Sequence, residues 1–76
     1  MSKVFAKNLR EYRKRLGLTQ TELAEAIGTT RSSINNYESA KSEPNFEMFC
    51  RIFEVLGLDP MDLMVEHEPV GREAVR

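Results

Sequence analysis

"LTQTELAEAIGTTRSSINNYE", residues 18–38, carries two helix starts separated by one glycine stop. Thr19 is followed three positions later by Glu22, a capping box in which hydroxyl and carboxylate each satisfy an otherwise orphaned amide at a helix N-terminus. Gly28 stops that helix, and Thr29-Thr30 offers a second N-cap two positions on. The spacing predicts one helix over 20–27 and another from just after Thr30 to Glu38 or Ser39. Leu23, Ala24, Ile27, Ile34 and Tyr37 then face a core. Arg31, Ser32, Asn35, Asn36 and Ser39 are left on the outer side of the second helix.

The flanking sequence punctuates itself in the same way. Phe5, Leu9, Tyr12 and Leu16 recur at 4-3-4 spacing, one stripe of a helix over roughly 3–16, and Gly17 supplies its stop. Asn45, after Pro44, is the N-cap of a helix whose apolar face is Phe46, Phe49, Ile52, Phe53 and Leu56, closed by Gly57. Asp59-Pro60 pairs an N-cap with proline at the first helical position and opens a short helix carrying Leu63 and Met64. No segment sustains the period-2 alternation of a strand, so the expected fold is all-α with five helices. Residues 1–65 form the domain. Residues 66–76, "EHEPVGREAVR", lack a core-facing pattern and read as a flexible C-terminal tail, a linker stub or an extra dimer contact.

Composition narrows the function. The chain has 76 residues, 41% hydrophobic and 30% charged, which suits one small soluble domain. No apolar run approaches the ~20 residues of a membrane span, and no signal-peptide stretch opens the chain, so a cytoplasmic setting without membrane contact is expected. The single cysteine, Cys50, has no internal disulfide partner and sits among phenylalanines, where a buried inert thiol is expected. The single histidine, His67, falls in the tail, and no phosphate-cradling glycine loop is present. No enzyme activity, metal or cofactor is expected. The net charge of −1 is unevenly placed. Lys3, Lys7, Arg10, Arg13, Lys14 and Arg15 face only Glu11 at the N-terminal end. Glu43, Glu47, Glu54, Asp59, Asp62, Glu66 and Glu68 face only Arg51 at the other. Such segregation attracts DNA to one side and repels it from the other, unless both sets are simply solvated helix faces.

Two helices joined by a turn of three or four residues form the unit that fits a helix into a DNA major groove. Ala24 belongs where the two helices approach most closely, and Gly28 where the chain turns with positive φ. "LR..R...GLTQ.ELA...G", followed by "S.I..YE" and "P....F..I...LGL", resembles the XRE family of Cro-like and phage-repressor-like helix-turn-helix domains over about residues 5–65. The resemblance implies a lambda-repressor-like fold and a homodimeric transcriptional regulator, a repressor, bound to a palindromic double-stranded DNA operator.

The family's roles carry over position by position. Arg31, Ser32 and Asn36 match positions that read base edges, with Thr30 and Asn35 beside them. Arg31 can donate two parallel hydrogen bonds to guanine, and Asn36 can bridge adenine N6 and N7. Gln20 resembles a phosphate-anchoring glutamine, chemically suited to the free amides of a helix N-terminus. Lys41 resembles the family's backbone-contacting lysine, and Ser39 lies with it at the phosphate side. Arg13 and Glu38 occupy the places of a structural ion pair, with phosphate as a possible third partner of Arg13.

Two positions depart from the pattern. Ala40 stands where glycine is frequent in a left-handed turn, so either the backbone is strained there or the turn takes another shape. Phe53 replaces an alanine, so either the fourth helix packs differently or Phe53 reaches a second subunit. Met61, Val65 and Leu58 are the candidate dimer contacts, because the last helix holds more apolar groups than one inward stripe needs. The other function to weigh is a protein-interaction module, an antitoxin or anti-repressor component of the same fold. Small polar groups on the third helix favour DNA over such a protein partner.

Overall fold

The computed structural model describes residues 2–65; the tail expected at 66–76 lies outside the described residues. Five helices follow in order: α1 Ser2–Arg15, α2 Gln20–Ile27, α3 Arg31–Glu38, α4 Phe46–Leu56 and α5 Pro60–Met64, with no strand among the described residues. This is the all-helical, five-helix architecture that the sequence leads one to expect.

The helix starts obey local chemistry. Thr19 Oγ1 accepts the Glu22 amide at 3.0 Å while Glu22 Oε1 accepts the Thr19 amide at 2.8 Å, completing the capping box. Thr30 Oγ1 accepts the Ser33 amide, and Asn45 Oδ1 accepts that of Met48. At the end of α2, Gly28 lies at φ 82°, and its amide and that of Thr29 both donate to the Ala24 carbonyl. Three residues, Gly28 to Thr30, therefore separate α2 from α3.

The core is built from every helix. Phe5, Leu9, Leu23, Ala24, Ile27, Ile34, Tyr37, Ile52, Leu56 and Leu63 form one buried cluster, with Tyr12, Leu18, Phe49 and Phe53 packed on its edge. Two members of the expected stripes lie outside it. Leu16 is 52% exposed, because α1 stops at Arg15 and the chain leaves the helical path before Leu16 would complete its face. Leu18, beyond the turn, packs against the core instead. Phe46 is 79% exposed, because it is the first residue of α4 and projects past the end of the core. Cys50 is half-buried rather than buried.

Both departures from the family pattern resolve. Ala40 takes the left-handed turn at φ 61°, the strained alternative. Phe53 packs within its own chain, its ring 4.4 Å from that of Phe49, which in turn lies 5.4 Å from Phe5.

α5 is too short to persist by helical propensity alone. It is held on α1 by Leu63, fully buried, and by Asn8, a polar side chain buried beneath it. Asn8 Nδ2 donates to the carbonyls of Leu63 at 3.0 Å and Val65 at 2.8 Å, satisfying groups that a helix C-terminus leaves open.

Candidate nucleic-acid interface

The candidate site is the outer side of α3 and the rim around it. Ile34 and Tyr37 bury one face of α3, and the helical period turns Arg31, Ser32 and Asn35 outward, all exposed. No hydrogen bond or ion pair holds these three side chains to any described residue. Asn36 is half-buried, so Asn35 is the more open of the two amides. Thr30 is exposed, but its hydroxyl is committed: besides capping α3 it donates to Ser33 Oγ at 3.1 Å. Its methyl is the group left for a ligand.

Behind α3 lies a polar joint. Arg13 Nε and Nη2 donate to the two carboxylate oxygens of Glu38 at 2.6 and 3.0 Å, a bidentate fork. Arg13 Nη1 donates to the Leu18 carbonyl at 2.7 Å. The two side chains are 9% and 4% exposed. The hydrogen bond to Glu38 raises the Arg13 pKa above its ordinary value, against the opposing effect of burial. Gln20, anticipated as a phosphate anchor, turns its Nε2 to Glu38 Oε1 at 3.1 Å. One carboxylate on α3 thus ties down α1 and α2 together. The backbone amide of Gln20 remains at the α2 N-terminus, where a partial positive charge gathers.

A polar groove opens over this joint, lined by Arg10, Arg13, Lys14, Gln20, Asn35 and Ser39 together with Glu38, whose carboxylate is paired with Arg13. Arg13, 8% exposed, lends the groove little open surface. Lys41 is exposed in the loop after α3, and its amide donates to the Asn36 carbonyl at 2.9 Å. Around α5, Met61 and Val65 are 65% and 41% exposed, while Leu58 packs half-buried on the core.

Two supporting residues carried no sequence signal. Asn8 reads as an ordinary polar position on α1, and Arg51 as a lone base in an acidic segment. Arg51 Nη1 donates to the Ile27 carbonyl at 3.1 Å, capping the end of α2 from α4, and its Nη2 pairs with Glu47 at 2.8 Å. Finding either from sequence requires knowing which carbonyl ends lie opposite which helix.

A model of the helix-turn-helix family, HTH_3, matches residues 9–63. The chain belongs to this family, the XRE-type, repressor-like class of helix-turn-helix DNA-binding domains. It is 43% identical over 54 residues to an uncharacterized HTH-type transcriptional regulator of Methanothermobacter thermautotrophicus, covering 71% of this chain and 78% of the other. The fold is similar to that of the P22 c2 repressor crystallised with a synthetic operator, with TM-score 0.75 and 27% identity over 78% of this chain and 89% of that one. It is also similar to the restriction-modification controller protein C.AhdI of Aeromonas hydrophila, with TM-score 0.77 and 27% identity over 82% and 94% of the two chains. No helix among the described residues is long and apolar enough to cross a membrane.

Proposed function

We propose that this domain binds a palindromic DNA operator as a homodimer and acts as a transcriptional repressor by occupying it. The observation that carries the reading is the outer side of α3, where Arg31, Ser32 and Asn35 stand exposed and bonded to no described residue. Arg31 reads a guanine through O6 and N7, and Asn35 and Asn36 read an adjacent adenine. Ser32 and the Thr30 methyl fill the contact around them. Ser39, the α2 amides at Gln20 and the margin of Arg13 face one phosphate across the polar groove, and Lys41 faces the backbone beyond α3. One such helix reads only a few base pairs, so two copies related by a two-fold axis are needed to select one operator in a genome.

Selection from random duplex pools, followed by titration of variants on the selected sequence, tests this. Arg31→Ala is expected to lose about 1–3 kcal/mol of discrimination at one base pair in each half-site. Lys41→Ala is expected to weaken all duplexes alike and to flatten the salt dependence by roughly one unit. Equal weakening of operator and random DNA by Arg31→Ala removes that residue from base reading.

A further inference from the structure

Four of the basic residues of α1 form a line that the operator contacts above do not use. Lys3, Lys7, Arg10 and Lys14 recur at helical spacing, all four are exposed, and none is held in an ion pair with a described residue. Arg15 lies off the line, its guanidinium 5.1 Å from the centre of the Tyr12 ring. The line has a defined relation to the recognition helix. Arg10 and Lys14 border the polar groove with Gln20, Asn35 and Ser39. Lys3, Lys7 and Arg10 border a second, wider groove of about 330 Å³ whose other wall is Ser39 and Ala40, where the chain leaves α3. Two carboxylates also line that second groove. Glu38 is neutralised by Arg13, so Glu11 is the only uncompensated acid beside three cations.

From Lys3 to Lys14 the helix rises about 16 Å at ~1.5 Å per residue. A DNA strand carries a phosphate every ~3.4 Å along its axis, so such a line spans a few phosphates. Its Lys14 end shares the polar groove with Asn35, and its Lys3 end lies beside Ser39 and Ala40, at the C-terminal end of α3 and apart from Arg31 and Ser32 at the other end of that helix. The geometry points to a second DNA contact: Lys3 and Lys7 engage phosphates of the duplex flanking each half-site, outside the base pairs read by α3. The contact rests on the operator-binding reading above and adds to it a sequence-independent grip on neighbouring DNA. The ligand is the sugar-phosphate backbone, recognised by charge alone, and its contribution is salt-sensitive and blind to base identity.

The test uses the selected operator in two lengths, one ending at the outer edge of the half-sites and one extended by about one helical turn on each side. The Lys3→Gln/Lys7→Gln protein is expected to match wild type on the short duplex. On the extended duplex it should bind several-fold more weakly, with a salt slope shallower by roughly one to two units. Lys3→Arg/Lys7→Arg keeps the charge and should keep the wild-type dependence on length. Circular dichroism of both variants confirms that α1 is intact. Equal behaviour of wild type and the Gln variant on both duplexes overturns the flanking contact while leaving operator binding standing. A loss of the same size on the short duplex also overturns it, because the lysines would then act within the half-site. If wild-type protein selects no sequence at all, both readings fall.

Discussion

Glu38 joins three helices behind the outer side of α3. It accepts from Nε and Nη2 of Arg13 and from Nε2 of Gln20, so α1, α2 and α3 meet at one carboxylate. Removing either member of the buried pair strands the other, a change that costs about 3–5 kcal/mol where both charges are well buried. Arg13→Ala and Glu38→Ala are therefore each expected to lower the urea midpoint far more than a surface change. The double variant should lose much less than the sum, and independence within about 0.5 kcal/mol in a double-mutant cycle refutes the coupling. Ala40 is the opposite case, a residue that opposes its own backbone. At φ 61° a side chain costs about 1–2 kcal/mol, partly offset by the greater freedom glycine has when unfolded. Ala40→Gly should raise stability by about 0.5–1 kcal/mol in equilibrium unfolding. The caps at Thr19, Thr30 and Asn45 were legible because each bond spans three residues. The Arg13–Glu38 pair, separated by 25 positions, was legible only through family resemblance, and the third partner, Gln20, was not.

At the scale of elements, α5 depends most on its neighbours. Its five residues cannot nucleate alone, and its last carbonyls bond to a side chain on α1. Asn8→Leu keeps the volume and leaves those carbonyls without donors, so it should cost about 1–3 kcal/mol. Hydrogen exchange should localise the opening to α5, with α2 and α3 protected as in wild type. Uniform loss of protection would instead make Asn8 a determinant of the whole core. Periodicity found the elements because burial selects one face, and it misjudged Leu16 and Phe46 because a period does not mark where its helix ends. The side chains that join elements, Asn8 to α5 and Arg51 to α2, have no periodic trace at all. Their partners are backbone carbonyls, which every sequence has.

For the whole molecule, the distribution of open surface separates two tasks. The basic line of α1 and the outer side of α3 adjoin one another, whereas Met61 is exposed on α5 and Val65 just past its end. An operator dimer needs recognition helices about 34–36 Å apart, and an apolar contact through α5 is the proposed means. Met61→Glu and Val65→Glu should each abolish pairing in sedimentation with a palindromic duplex while leaving the fold intact. One protein per duplex at saturation for wild type overturns the dimer, and unaffected pairing in both variants moves the interface elsewhere. The exposed triad Arg31, Ser32 and Asn35 has one further consequence. Because no described residue bonds to these side chains, exchanging them disturbs little else, and substitutions at such positions usually change stability by less than about 0.5 kcal/mol. On the proposed operator-binding reading, duplicated copies of this chain are free to drift toward new operators one substitution at a time, with little change in stability at each step.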